Sequence, residues 1–357
     1  MLQNLARGFA VLLAALSVAH AQTPTPLKVA FVYVSPIGDA GWTYQHDLGR
    51  KAMEAALGDK VQTTVVESVA EGPDSERVMR DLAAQGHTLI FATSFGYLEP
   101  ALRVAADFPA VKLEHAGGYK TAANLRTYNA RYYEARYLAG LLAGKTSKSG
   151  VAGYVAGFPV PEVIQGINAF TLGMREANPR GQVKVLWLNT WFDPLREREA
   201  ALALVHQGAD VLTNHSGSPA VAQAAEEQGV KLVAYQSDMR RHAPHAQLTA
   251  ITHQWGGYYT EVARSMIAGT WTPKPVWGGM KDGLVALAPF GADVPKEAAA
   301  LVEARRRAIV EGRFKPFSGR LVDSEGRVRL DKGAMGDQEI ARMNWFVQGV
   351  VGSLPKQ

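Results

Sequence analysis

Residues 27–57 decide the fold: they read LKVAFVYV (27–34), then SPIGDAGWT (35–43), then YQHDLGRKAMEAAL (44–57). The first eight residues form an apolar, β-rich run, which is typical of a buried parallel strand. The loop that follows contains two glycines, which allow unusual backbone angles, and Asp39, which can cap a helix. Residues 44–57 place alanine and leucine on one helical face. The stretch therefore predicts a strand, a loop and a helix, which together are one βα unit.

This unit recurs along the chain in two sets of four strands. The predicted strands are Leu27–Val34, Val61–Val66, Thr88–Ala92 and Val111–His115, then Gly150–Val155, Val183–Leu188, Val211–Asn214 and Lys231–Tyr235. The predicted helices are Tyr44–Leu57, Asp74–Gln85, Ala130–Leu142, Glu162–Glu176, Pro194–Gln207 and Ser218–Gln228. This alternation favours right-handed βαβ units and open parallel sheets, so the predicted fold class is α/β. Two such lobes would face each other across a cleft lined by loops that follow the strands.

Composition narrows the classes of function. The 357 residues suit about two domains of 150 residues each, and an apolar fraction of 47% is enough for a large core. The chain has no cysteine, which excludes disulfides, zinc–thiolate sites, thiol catalysis and cysteine-linked lipid anchors. The net charge of +5 is small for a chain of 357 residues, and the sequence contains no run of five like charges. We therefore expect no nucleic-acid partner.

Motifs for catalysis or metal binding are largely missing. His242 and His245 have a spacing that could suit a metal on a helix, but Pro244 between them favours a loop. We therefore expect no metal there, and we expect no other cofactor. The sequence contains no nucleophile elbow, phosphate-cradling loop or zinc-protease motif. Spacing alone leaves a glycosidase-like carboxylate pair open. The sequence thus favours a binding protein over an enzyme.

The N-terminus has the pattern of a secretory signal peptide. Arg7 precedes an apolar run, FAVLLAALSV (9–18), and Ala19-His20-Ala21 is a small-x-small cleavage signal. A membrane span needs about 20 apolar residues, so we expect cleavage after Ala21, with a retained anchor or a buried helix as the alternative. Residues 1–21 are the predicted signal peptide and 22–26 a Pro/Thr tether. The mature chain should then be periplasmic, not embedded in the membrane and, without cysteine, not a lipoprotein.

Two tryptophans stand in loops that follow predicted strands. Trp42 lies at the start of the first helix, and Trp191 lies in the loop Asn189–Pro194. Facing aromatic rings can hold a planar ligand by offset stacking worth about 1 kcal/mol beyond burial. Packing of each ring on the sheet is the alternative. Phe192, beside Trp191, is interpreted first as a structural residue.

Polar candidates follow later strands. Asp238 comes after the eighth strand, where a carboxylate would accept hydrogen bonds from ring N–H or NH₂ groups; a surface turn is the alternative. His253 follows the run LTAIT (248–252), a candidate strand between the lobes, and is equally open to a structural role. The stretch TYNARYYEARY (127–137) is interpreted as helical core packing.

Five short motifs occur in an order that resembles one family. They are Asp39–Gln45 (DAGWTYQ), Glu134–Gly140 (EARYLAG), Trp191–Pro194 (WFDP), Gly208–Val211 (GADV) and Asp238. This pattern resembles the basic membrane protein family of ABC-transporter binding proteins, which are relatives of bacterial purine nucleoside receptors. Each motif is weak alone, but five in order are strong together, and the resemblance covers residues 27 to about 269.

The resemblance implies a type I periplasmic-binding fold with two Rossmann-like lobes, parallel sheets and three crossovers. We expect the first lobe to comprise residues 27–145 and about 250–284, and the second to comprise residues 146–249 and about 285–357. It also implies a purine between Trp42 and Trp191, with its polar edge bound by Asp238. The full set of predicted ligand-binding residues is Trp42, Trp191, Asp238, Asp39, Thr43, Phe95, Gly96, His253, Phe192 and Ser216.

Two departures from the family pattern bear on the ligand. The nucleoside receptors have Asn after the first aromatic residue and Lys after the crossover strand, and both help to hold the ribose. This chain has Thr43 and His253 there. We therefore expect a free purine base such as adenine, delivered by a monomeric receptor to an inner-membrane ABC permease.

Other ligands and functions remain open from the sequence. They are a purine nucleoside, another planar or amide ligand, a chemoreceptor partner, and an exported nucleoside hydrolase with Asp39 or Asp238 as base. Beyond the candidate site, the sequence predicts a helix over Glu297–Glu311, a hairpin at residues 324–326 and a last helix closed by Trp345. Trp271 and Trp277 are interpreted as packing residues.

Overall fold

The computed structural model describes residues 25–355. The predicted signal peptide and most of the predicted tether lie outside this part of the chain. Within residues 25–355, no helix combines the length and the apolar character that crossing a bilayer requires.

The helices and strands alternate through most of the chain. The first group is β1 (Leu27–Val32), α1 (Gly41–Leu57), β2 (Val61–Val66), α2 (Pro73–Ala84), β3 (Leu89–Ala92), α3 (Leu98–Asp107), β4 (Lys112–Ala116) and β5 (Leu125–Ala130). The second group is α4 (Tyr132–Thr146), β6 (Val151–Ala156), α5 (Pro161–Ala177), β7 (Gln182–Trp187), α6 (Pro194–His206), β8 (Val211–His215), α7 (Ala220–Gln228), β9 (Lys231–Gln236) and β10 (Gln247–His253). The remaining elements are α8 (Trp255–Ile267), β11 (Val276–Gly278), β12 (Val285–Leu287), α9 (Lys296–Val310), β13 (Leu321–Val322), β14 (Val328–Leu330), α10 (Asp337–Ala341) and β15 (Val350–Val351).

Two sheets repeat one strand order and give two lobes. The first sheet is ordered β2-β1-β3-β4-β5-β11, and the second is ordered β15-β7-β6-β8-β9-β10-β12. All neighbouring strands in them are parallel except the β10–β12 pair. In each sheet the first strand lies between the next two in sequence, so the strand order reverses at β1 and at β6. Ligands of such sheets bind outside the carboxyl ends of the strands at this reversal.

The chain crosses between the lobes three times, which agrees with the predicted type I architecture. The crossings lie between β5 and α4, between β10 and α8, and between β11 and β12. Helix α8 packs on α1 in the first lobe, whereas α4 packs on α5 and α9 in the second.

The lobe boundaries differ from the predicted ones. The prediction assigned residues up to 145 to the first lobe, but α4 packs closely on α5 of the second. Gly140 and Gly173 allow this approach, because a side chain on either would collide with backbone of the other helix. Strand β10, predicted to change lobes at residue 250, runs to His253 within the second sheet.

Local sequence explains most of the elements. Strand β1 is fully buried from Val29 to Val32, as its apolar run predicts. Helix α6 begins with Pro194 in its first position, and the carboxylate of Asp193 accepts a hydrogen bond from the backbone N–H of Arg196 at 3.0 Å. The eight predicted strands and six predicted helices of residues 27–235 are all present, with ends shifted by at most four residues.

Predictions for the C-terminal part had mixed outcomes. The helix predicted over residues 297–311 is α9, and the hairpin predicted at residues 324–326 joins β13 to β14. The predicted last helix closed by Trp345 is wrong, because α10 ends at Ala341. Trp345 instead packs beneath the guanidinium of Arg329, 5.3 Å from the ring centre.

Candidate functional site

A cavity lies between the lobes. Its volume is about 530 Å³ when the solvent-open space at its mouth is included. The cavity is at the carboxyl ends of the strands, where the strand order reverses, which is the position at which open α/β sheets bind their ligands. The first lobe contributes Val34, Ser35, Trp42, Ser94, Phe95, Ala116 and Gly117, and the second contributes Val160, Glu162, Trp191, His215, Gly217 and Gln236.

Trp42 forms part of the first-lobe side of this cavity. It lies in the first turn of α1, after Gly41, whose φ of +93° is in the region that favours glycine. The indole Nε1–H donates a hydrogen bond to the carbonyl oxygen of Thr93 at 2.6 Å. Because this bond uses the only polar group of the ring, Trp42 can offer a ligand only its π-system and apolar surface.

Trp191 lines the cavity from the second lobe. The chain turns towards it at Asn189, whose φ is +55°. The ring lies against Gly157, where an added Cβ would be 2.7 Å from the ring, and packs edge-on to Phe158 at 4.8 Å between centroids. Its Nε1–H donates to Oε1 of Glu71, across the cleft in the first lobe, at 3.1 Å. Both predicted aromatic walls therefore line one cavity.

The lobes touch each other beside the cavity. Ser237 Oγ of the second lobe accepts a hydrogen bond from the Gly41 N–H at 2.9 Å. A side chain at Gly41 would collide with the carbonyl oxygen of Gly217 in the second lobe. Gln45 of α1 donates from Nε2 to the carbonyl oxygen of His253 at 2.7 Å. These contacts describe a form in which the lobes are together.

Three polar side chains from the second lobe line the cavity. Glu162 accepts a hydrogen bond from Asn129 Nδ2 at 2.9 Å and lies 3.5 Å from Nε2 of His215. Burial lowers the pKa of His215, and the nearby Glu162 opposes this only in part. Gln236 has an unusual φ of +71°, and its buried Oε1 has no hydrogen-bond partner. Strained backbone and unpaired buried polar atoms are features of functional sites.

A buried aromatic cluster lies next to these residues. The guanidinium of Arg136 lies 3.5 Å over the ring of Tyr235 and donates to the carbonyl oxygen of Asn214 at 2.7 Å. His253 packs against Tyr132 and Tyr235, and neither of its ring nitrogens has a partner. Burial lowers the pKa of His253 well below its ordinary value. The cluster keeps this histidine neutral, and it does not line the cavity.

The two predicted aspartates also lie outside the cavity lining. Asp238 forms an ion pair with Arg240 and accepts a hydrogen bond from Gln247 Nε2 at 2.8 Å. Partial burial would raise the pKa of Asp238, but these hydrogen bonds outweigh it and lower the pKa. Asp39 pairs with Arg241 and His242 of the second lobe, each at 3.1 Å, in an exposed position. The structure does not bring either carboxylate to the cavity.

The other predicted residues divide in two groups. Phe95 lines the cavity, whereas the neighbouring Gly96 gives its N–H to Glu71. Thr43 is buried, with Oγ1 2.7 Å from Ser35 Oγ, and Ser216 donates to Glu197 at 2.9 Å. Phe192 packs near Gly217 and does not line the cavity.

Sequence reasoning missed Glu162, His215 and Gln236. His215 and Gln236 come directly after the predicted strands Val211–Asn214 and Lys231–Tyr235, and Glu162 begins the predicted helix Glu162–Glu176, so the ends of predicted elements were a usable signal. Which side chain of each loop enters the cavity depends on packing of the second lobe. Within residues 25–355, no group of three or more His, Cys, Asp or Glu residues could hold a metal ion.

Comparison with known proteins identifies the family. The model of the family described as ABC transporter substrate-binding protein PnrA-like matches residues 27–311. The chain belongs to the PnrA-like family of ABC transporter substrate-binding proteins. Members of this family bind a small solute outside the cytoplasm for a membrane permease and are not enzymes, so the hydrolase alternative is wrong.

Individual relatives of this PnrA-like chain agree with that assignment. A purine-binding protein of Brucella abortus (strain 2308) is 49% identical over 339 residues, which cover 95% of this chain and 96% of that protein. A Haloferax volcanii protein that carries the name of an ABC transporter glucose-binding protein is 37% identical over 92% of this chain and 81% of its own. A solved ABC transporter solute-binding protein from Aeropyrum pernix K1 superposes with a TM-score of 0.71 at 18% identity, over 81% of this chain and 93% of its own, which shows the shared fold.

Proposed function

We propose that this protein is the periplasmic solute-binding component of an ABC importer and binds a purine base, adenine-like, between Trp42 and Trp191. The observation that carries the proposal is that two indole rings, one from each lobe, line the same cavity. Their N–H groups are bonded to the protein in this form, so both rings can offer a ligand their π-systems and apolar surface but no hydrogen bond. The 49% identity to a protein named as purine-binding supports the same ligand class.

The edge of the base would meet the polar residues of the second lobe. A carboxylate accepts hydrogen bonds from an exocyclic NH₂ or a ring N–H, and a purine base offers both. Glu162 is the carboxylate that lines the cavity, and Gln236 adds an unpaired buried amide oxygen. We therefore assign the edge to Glu162 and Gln236. The prediction for Asp238 finds no support in its position beside Arg240.

The surroundings of Thr43 and His253 favour a free base over a nucleoside. The Thr43 hydroxyl is within hydrogen-bond distance of Ser35, and His253 lies outside the cavity lining. Both side chains are buried and neither lines the cavity, so neither is placed to bind a ribose at the positions where nucleoside receptors have Asn and Lys. A ribose hydroxyl buried without a partner would lose about 1–3 kcal/mol of binding free energy.

Ligand capture would proceed by closure. A base stacked on Trp42 in the first lobe gains the second ring only when the lobes meet, so it binds the closed form more tightly and shifts the population towards it. The closed monomer would then dock on its permease. This mechanism requires no chemistry on the ligand.

Calorimetry on the mature protein tests the ligand. Adenine, hypoxanthine, guanine, adenosine, guanosine and glucose are titrated under one set of conditions. We expect a free base to bind most tightly. Nucleosides binding more tightly than every base would refute the preference for a base, and glucose binding alone would refute the purine class.

A further inference from the structure

Glu71 makes an unusual set of contacts outside the cavity lining. It lies in the loop between β2 and α2, and a single carboxylate oxygen, Oε1, accepts three hydrogen bonds. The donors are Ser94 Oγ at 2.6 Å, the Gly96 N–H at 2.8 Å and Trp191 Nε1–H at 3.1 Å. Ser94 lines the cavity, and Gly96 follows Phe95, which also lines it.

The first lobe holds this carboxylate in place before the lobes meet. Ser94 and Gly96 belong to the same lobe as Glu71, so their two bonds do not depend on closure. Gly96 also leaves the space that the carboxylate occupies, because a side chain there would collide with it. Hydrogen bonds to an ionised acceptor are roughly twice as strong as those between neutral groups.

The third bond is different because it joins the lobes. Trp191 lies in the loop between β7 and α6 of the second lobe, so its N–H reaches Glu71 only when the lobes are together. On the other side, Gly157 and Phe158 support the ring. The bond to Glu71 and the contacts with Gly157 and Phe158 therefore hold the plane of the ring while the lobes are together.

We propose that Glu71 is a positioning residue that couples closure of the lobes to the orientation of the Trp191 wall. The proposal rests on the proposed function, since it takes Trp191 as a ligand wall. Glu71 would act without touching the ligand: closure forms the bond from Trp191, and the bond sets the ring plane against which the base stacks.

A double-mutant cycle tests this coupling. Glu71→Ala removes the acceptor, and Trp191→Phe keeps a ring but removes the donor. We expect each to weaken adenine binding about tenfold, and the double variant to bind no more weakly than the weaker single variant. Glu71→Gln keeps an acceptor oxygen and should recover part of the affinity. Additive losses, or a Glu71→Ala variant with unchanged affinity, would overturn the proposal.

A matched variant and a second readout separate this proposal from the ligand assignment. Glu67→Ala is the control, because Glu67 lies in the same loop but accepts from the Ile37 N–H of its own lobe at 2.7 Å; it should bind adenine normally. If the wild type binds no purine, the proposed function fails. The indole N–H resonance of Trp191 in ¹⁵N-labelled protein, assigned with Trp191→Phe, then decides the coupling: it should shift in Glu71→Gln, and an unchanged resonance overturns it.

Discussion

Replacing Trp42 by alanine tests the stacking model most directly. The ring lies on the first-lobe side of the cavity, and its N–H is bonded to Thr93, so its loss removes stacking and no ligand hydrogen bond. Stacking of a base on an aromatic side chain is worth about 2 kcal/mol by alanine substitution. Since about 1.4 kcal/mol is a factor of ten, the dissociation constant for adenine should rise about 30-fold.

The same substitution has a separate cost for folding. The Thr93 carbonyl oxygen loses its 2.6 Å donor, which should lower the free energy of unfolding by about 1 kcal/mol. Trp42→Phe keeps a ring and loses this donor, so it should show the stability loss with only a small loss of affinity. Measuring affinity by calorimetry and stability by urea unfolding separates the two effects.

A matched tryptophan outside the cavity provides the control. Trp187 stacks on Phe346 with ring centres 6.4 Å apart and donates to the Ser353 carbonyl oxygen at 3.0 Å, so Trp187→Ala should bind adenine normally. If Trp42→Ala is folded and binds adenine within threefold of the wild type, the ring is a packing residue and the stacking model is refuted.

Three further predictions follow from the geometry. Gly41→Ala should weaken adenine binding more than tenfold, because its Cβ blocks lobe contact, whereas Gly38→Ala, at a glycine that also has a positive φ but has open space around it, should not; equal affinities by calorimetry would contradict this. Glu162→Gln should change the order of preference among adenine, hypoxanthine and guanine, and Asp238→Asn should leave it unchanged; the reverse result would restore the original role of Asp238. Burial lowers the pKa of His46 to about 3, so below pH 6.5 the unfolded state takes up a proton that the folded state refuses, and stability falls by up to about 1.4 kcal/mol per pH unit. His215 and His253 add to the same pH dependence, so His46→Gln should make the slope less steep in urea unfolding between pH 6.5 and 4.5 without removing it, and a slope equal to that of the wild type would refute the contribution of His46.

Strong local patterns made most of the fold predictable. Val61–Val66 is a strand with the predicted ends, because its β-branched run is bounded by turns. Strand β5 was missed because its sequence, LRTYNA, is half polar and becomes a strand through pairing with β4. Helix α3 was missed because it is short and contains Pro100. That proline is tolerated in the first turn, where backbone N–H groups have no partner within the helix.

The candidate site was predictable at the level of loops. Trp42, Trp191 and Phe95 follow strand ends and line the cavity, since the carboxyl ends of parallel strands meet at one edge. The carboxylate at the cavity was not predictable in the same way. Asp238 also follows a strand, but it pairs with Arg240, two residues later, and lies outside the lining. Glu162 reaches the cavity from the start of a helix, where its direction depends on how α5 packs.

Both indole N–H groups are hydrogen-bonded to the protein, to Thr93 and to Glu71, so holding a ligand and recognising it would depend on different residues of one cavity. In the proposed mode of binding, the rings hold a flat molecule but cannot distinguish one heterocycle from another by hydrogen bonding, and a few side chains on the second lobe discriminate among ligands. Drift at those few positions could therefore exchange one planar cargo for another and leave the clamp intact. The same division makes this scaffold a starting point for engineered sensors, in which edge residues are varied and the hinge and rings are retained.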